Sequence, residues 1–260
     1  MINESPIGNW QSAMDSAPAL LLFDIDGTLV LTGRAGVRAM VATFEALWGV
    51  PDAFEGVSMG GRTDSWLVSN ALTRWGLADS PDNHARFRDG YLPRLADEIR
   101  QPGTGQKGVM PGVRELLDAA GARPHLHLAL LTGNYREAAE IKLRYFDLWH
   151  YFAFGAYSDD AADRNHLVPI ARERALAHGI PDAARARVVV IGDTPHDVVC
   201  AAAGGAWSIG VATGGHSCEE LAAAGADIAI EDLSDTAHVL SLLGGPTLQQ
   251  GSGREGGPVL

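Results

Sequence analysis

Five strand-like runs, most of them continuously apolar and alternating with stretches of helical period, constrain this 260-residue chain more than anything else in it. The runs are ALLLFD (19–24), HLHLALLTG (125–133), RVVVIGD (187–193), WSIGVAT (207–213) and ADIAIED (226–232). Strands that are apolar throughout, instead of alternating, belong in a parallel sheet covered on both faces. The intervening segments NYREAAEIKLRYFDL, LVPIARERALAHG, PHDVVCAAAGG and SCEELAAAG have helical period and length, and several end in Gly, a common helix stop. Strands alternating with helices predict an α/β fold, a doubly wound, mostly parallel sheet.

One region breaks the alternation. Residues 34–107 contain no convincing strand, whereas AGVRAMVATFEALWG, TDSWLVSNALTRWG and HARFRDGYLPRLADEIR are amphipathic helical patterns. QPGTGQKG closes the region as a linker. The expected organisation is a core of residues 1–33 and 108–245, a small helical domain of residues 34–107 inserted after the first strand, and a Gly-rich tail, 246–260, expected to be disordered.

Doubly wound sheets bind ligands at the carboxyl ends of their strands. Asp24 and Asp26 follow the first run, Thr132 ends the second, and Asp193 ends RVVVIGD with Asp197 four residues on. Any one of these could be a cap or a turn residue; three separated segments delivering polar groups to one edge argue for a site. Buried carboxylates need a partner or a metal to offset desolvation. Oxygen ligands without His or Cys suit a hard cation, Mg²⁺ above all. A carboxylate beside such an ion can attack phosphorus and form an aspartyl-phosphate. The Gly27-Thr28 turn offers backbone N–H groups for phosphate oxygens, and Thr132, Gly133 and Asn134 offer a hydroxyl and amides.

Composition excludes other classes. A net charge of −12 spread along the chain argues against nucleic acid and against an anionic membrane surface. No apolar stretch reaches the length of a membrane span, and no signal peptide is visible. Two cysteines without a CxxC make neither a disulfide scaffold nor a structural zinc site, so a cytoplasmic protein is expected.

DIDGTLV, LLTGN and VIGDTPHDVVCA, in that order, resemble the haloacid dehalogenase superfamily of phosphatases, phosphoglycolate phosphatase-like members with a helical cap in particular. The resemblance covers residues 20–243. It implies a Rossmann-like core, a Mg²⁺ cofactor and a small phosphorylated metabolite as substrate. It also implies roles. Asp24 is the nucleophile and a metal ligand. Asp26 is the general acid and then base, with its backbone carbonyl on the metal. Thr132 binds the transferring phosphoryl group, with Gly133 and Asn134 beside it, and Asp193 and Asp197 complete the metal site. Dehalogenating members lack the second Asp, which this chain has.

The chain departs from the family at one place. The superfamily's lysine before the GD motif is missing, and SDDAADRNHLVPIARERA has Arg164 there instead. The only lysines are Lys107 and Lys142. Arg164 is expected to take the catalytic cation's place; Lys142, on the helix after Thr132, is its rival, and is otherwise expected to be a solvated helix residue. In MGGRTDSW (59–66) Thr63 can cap a helix, and Arg62 offers a fork for an anionic group of the substrate. Two other readings remain at this stage. One is phosphoryl transfer or phosphonate cleavage, the latter needing a cap lysine, and the insert has none before Lys107 at its edge. The other is a non-catalytic phosphate-binding module, which would be expected to lose Asp24 or Asp26.

Overall fold

A computed structural model describes residues 18–180 and 186–244. The predicted tail 246–260 and the N-terminal segment read for a signal peptide lie outside the described residues. The core is a six-stranded parallel sheet. In chain order its strands are β1 (Ala19–Phe23), β4 (Leu126–Leu131), β5 (Gly155–Ala156), β6 (Arg187–Gly192), β7 (Trp207–Val211) and β8 (Ile228–Ile230). Their order across the sheet is β5-β4-β1-β6-β7-β8. β1 is central, pairing in parallel with β4 (Leu21 opposite Leu128) and with β6 (Leu21 opposite Val189).

Successive side chains of β1 point to opposite faces, and both faces are buried. Leu21 and Phe23 pack with Leu116 and Leu117 of α4 (Val113–Gly121), Leu143 of α5 (Arg136–Tyr145) and Val239 of α9 (Thr236–Gly244). Leu20 and Leu22 pack with Val168 and Ala171 of α6 (Leu167–Ala177) and Ala201 of α7 (Pro195–Ala203). Each of these Leu or Phe side chains contributes roughly 1.5–3 kcal/mol by leaving water. That explains why the runs are apolar throughout. The remaining core helix is α8 (Cys218–Ala223), capped by Ser217.

The insert comprises α1 (Ala35–Trp48), α2 (Asp64–Arg74) and α3 (Pro81–Glu98), with its own core of Met40, Phe44, Leu67, Val68, Phe87 and Tyr91. Its connection to the sheet has no counterpart among the elements the sequence predicts. A two-stranded antiparallel ribbon, β2 (Val30–Thr32) and β3 (Lys107–Val109), carries the chain in and out of the insert, with Leu31 opposite Gly108. Three-residue strands are too short to show a period. Helices α4 and α9 and the two-residue β5 were missed as well. Among the described residues no helix is long and apolar enough to cross a membrane.

Candidate active site

The register sets the site. Phe23 lies opposite both Leu130 and Ile191, so the residues that follow β1, β4 and β6 leave the sheet at one edge. Asp24 is the first residue past β1, and its N–H still donates to the Ile191 carbonyl at 2.9 Å. Gly27 then turns the chain at φ 92°. A Cβ there would overlap the Asp193 carboxylate, so only glycine allows both the turn and that approach. The Gly27 N–H donates to Val30 O at 2.9 Å, which removes that amide from the phosphate donors expected of the turn. Thr28 donates its hydroxyl to Asp193 Oδ1 at 3.0 Å, and Thr213 donates to Gly27 O at 2.6 Å.

Asp24, Asp193 and Asp197 are buried, and one oxygen of each lies within 4.8 Å of the others. Arg164 begins a 3₁₀ turn (Arg164–His166) and meets Asp24 Oδ1 at 3.0 Å and Asp197 Oδ1. Three carboxylates against one guanidinium leave an excess of negative charge in a dry place. Burial pushes the Asp24 carboxyl up to about 6, the Asp197 and Asp26 carboxylates push the same way, and Arg164 opposes them. Asp193 is driven well above the ordinary range by burial and by Asp197 and Asp24, against hydrogen bonds from the Thr28 hydroxyl and from its own backbone N–H. Burial disfavours the Arg164 charge, but Asp197 and Asp24 outweigh it and hold its pKa above its ordinary value. The cluster is thus short of positive charge, and its all-oxygen donors fit a divalent ion such as Mg²⁺. Asp197 also closes the capping box of α7: its Oδ2 accepts from Thr194 N at 3.0 Å and from Thr194 Oγ1 at 2.7 Å. The cap role and the place in the cluster are compatible.

A second ionic group stands beside the first. Lys142 Nζ donates to Asp26 Oδ2 and to Asn134 Oδ1, both at 2.6 Å. Asn134 Nδ2 donates to Asp26 Oδ2 at 2.9 Å and to Thr132 Oγ1 at 2.8 Å. Lys142 is only 4% exposed, so the expectation of a solvated helix residue is corrected. The signal was in the helical period: Ala138, Ala139, Lys142 and Leu143 form the buried stripe of α5, and a lysine on that stripe must meet an acid. Asn134 is correspondingly a link between Thr132, Asp26 and Lys142.

The insert covers this edge through hydrogen bonds made by the start of α2. Thr63 accepts from Trp66 N at 3.1 Å, as a helix cap, and donates to Ala162 O at 2.6 Å. Asp64 N donates to Gly133 O at 2.7 Å, and Asp64 Oδ2 accepts from Tyr135 N at 2.8 Å. The approach is close enough that a Cβ on Gly133 would overlap the Arg62 carbonyl oxygen. Arg62 itself lies 4.2 Å over the Trp66 ring. Between insert and sheet edge remains a cavity of about 240 Å³, which Asp24, Asp26, Thr132, Lys142, Arg164 and Asp193 line from below and Arg62 from above.

Asp64 gives a pH prediction. Burial raises its carboxyl to about 7, with Asp26 and Asp159 adding to the rise and Lys142 and the Tyr135 N–H opposing it. The folded state therefore holds the proton more tightly than the unfolded chain. The stability this brings is complete below about pH 3.8 and is lost as pH rises through about 7. Asp64→Asn keeps an acceptor for Tyr135 N and cannot ionise. It is expected to melt several degrees above wild type at pH 8, with a gap that shrinks toward pH 5. Melting curves at the two pH values check this, and an equal gap at both would contradict it.

Comparison with known proteins decides the family. The family model for haloacid dehalogenase-like hydrolases matches residues 21–202, well over half of the chain. The chain belongs to the haloacid dehalogenase-like hydrolases. This hydrolase is 29% identical over 239 residues to the "Probable phosphatase IndB" of Dickeya dadantii, covering 85% of this chain and 94% of the relative. Its fold is similar to that of a hydrolase from Pseudomonas syringae (TM-score 0.64, 21% identity, 87% of this chain and 99% of the other). It is similar also to that of CbbY from Rhodobacter sphaeroides, solved with xylulose-(1,5)bisphosphate (TM-score 0.64, 22% identity, 84% and 96%).

Proposed function

We propose that this hydrolase is a Mg²⁺-dependent phosphatase that hydrolyses a phosphomonoester of a small metabolite through an aspartyl-phosphate on Asp24. The observation that carries the reading is the buried cluster of Asp24, Asp193 and Asp197, closed by one guanidinium and short of positive charge. The relative named as a probable phosphatase points the same way. The insert serves as the cap.

Asp24 attacks phosphorus, and the bond to the ester oxygen breaks as the acyl phosphate forms. Asp26 gives the departing alkoxide a proton and then takes one from the water that hydrolyses the intermediate. Arg164 holds Asp24 and offsets the approach of two anions, and Asp197 holds Arg164. Thr132 faces the phosphoryl oxygens. Lys142 and Asn134 fix the carboxylate of Asp26, so the two cations divide between nucleophile and acid. Mg²⁺ on Asp24, Asp193 and the Asp26 carbonyl, with Asp197 behind, would neutralise the phosphoryl charge.

Phosphonate cleavage through a lysine imine is not favoured. Lys107, the lysine at the edge of the insert, donates to the Ile99 carbonyl and, at 3.0 Å, to that of Gln101. Both cysteines are free, which fits a cytoplasmic setting.

A panel of phosphate esters assayed with and without divalent ions tests the proposal. EDTA is expected to stop turnover, Mg²⁺ to restore it and Ca²⁺ to restore little, because Ca²⁺ takes more ligands at longer distances and would misplace the nucleophile. Full activity in metal-free buffer would mean that these carboxylates serve something else.

A further inference from the structure

The cavity above Asp24 does not end at the insert. Arg34, Val37 and Met59 line it and also line a surface groove of about 550 Å³ on the insert, so the two spaces adjoin along these three residues. On its insert side the cavity has Val37, Met40 and Leu67 in the wall toward the groove, beside the charged Arg34, Arg62 and Asp64. In the groove Val41, Phe54 and Val57 continue the apolar lining, and Asp52 and Glu55 add two carboxylates. Arg34 stands where the two spaces meet. Its backbone is left-handed at φ 63°, a conformation a side chain adopts at a cost, and its guanidinium makes no hydrogen bond or ion pair among the described residues.

We propose that the substrate is a phosphomonoester with an elongated, partly apolar leaving group that carries no second anionic group. This rests on the phosphatase reading of the site and narrows it. The phosphoryl group occupies the charged floor, and the leaving group passes between Val37 and Met59 into the groove. Its apolar stem gains by burial against the insert's Val, Met and Phe side chains. Polar atoms along it can accept from Arg34 and donate to Asp52 and Glu55. A second phosphate or carboxylate in the groove would face two carboxylates and one guanidinium, an arrangement that repels an anion on balance.

Linear alkyl phosphates from ethyl to hexyl, with hexane-1,6-bisphosphate as the charged counterpart, test this with Mg²⁺ present. Each methylene that leaves water is expected to raise kcat/KM about three- to fourfold, so hexyl phosphate should exceed ethyl phosphate by tenfold or more. The bisphosphate should fall about tenfold below hexyl phosphate although it offers two esters. Glu55→Lys, an exposed change, should raise the ratio of bisphosphate to hexyl phosphate kcat/KM at least threefold. A kcat/KM that is flat with chain length, a wild-type preference for the bisphosphate, or an unmoved ratio in Glu55→Lys would overturn the inference while leaving the phosphatase reading intact. Failure to turn over any ester, ethyl phosphate included, would sink the phosphatase reading and this inference with it.

Discussion

Asp24→Asn is expected to lower kcat/KM by at least about 10⁴-fold, on the scale seen when a covalent nucleophile is removed. The amide has nearly the shape of the carboxylate but cannot form an acyl phosphate. The fold is expected to survive. Asp24 is buried among carboxylates, and its pKa of about 6 means that its surroundings already disfavour the charge. A neutral amide relieves that. Arg164 loses one partner and keeps Asp197. The melting temperature should therefore equal or exceed that of wild type, and the Asp24 N–H to Ile191 contact, being backbone, is untouched. Purified variant and wild type, assayed side by side on the best ester of the panel and melted in the same buffer, check both halves. Comparable turnover, once deamidation back to Asp is excluded by mass, would remove Asp24 from the nucleophile's place. A collapsed melting curve would instead show that the charge is structural.

Much of this site was legible because parallel strands buried on both faces announce themselves. A run such as LLLFD can end in an acid only where the strand leaves the sheet, so Asp24, Thr132 and Asp193 located the edge without coordinates. The insert was legible from the period of its helices. What stayed hidden has physical causes. The ribbon Val30–Thr32 with Lys107–Val109 is held by pairing between segments far apart in sequence, which no local pattern reports. The groove depends on the loop carrying Asp52 to Met59 coming alongside α1, again a tertiary fact. The docking of α2 onto Gly133 and Tyr135 through Asp64 had no trace beyond an acid at a helix start, where acids are common anyway.

Lys142 was hidden for a different reason: a lysine on a helix is usually solvated, and the buried stripe that carries it reads as alanine and leucine. Its contact with Asp26 yields the sharpest test of how the two cations are divided. If Lys142 fixes Asp26, its loss should cost most where the leaving group needs a proton, and less where only the later task of Asp26 as base for water is touched. Lys142→Met fills much of the same space without the charge. It is expected to lower kcat on alkyl phosphates by about 10²-fold, the lower end of what a positioned acid contributes, and on p-nitrophenyl phosphate by less than about tenfold, because nitrophenolate departs unprotonated. Arg164→Ala should behave otherwise. Arg164 touches Asp24 and Asp197 and not Asp26, so its loss weakens attack itself. A drop of roughly a hundredfold or more is expected on both kinds of ester, with partial recovery in Arg164→Lys. Leaving the Asp197 carboxylate unpaired in the interior should also cost stability, on the order of 3–5 kcal/mol, so kcat is compared only on fractions shown to be folded. Equal losses on both esters for Lys142→Met would mean that protonation of the leaving group is not what Lys142 serves. An Arg164→Ala variant that loses only alkyl phosphate turnover would exchange the roles of the two cations.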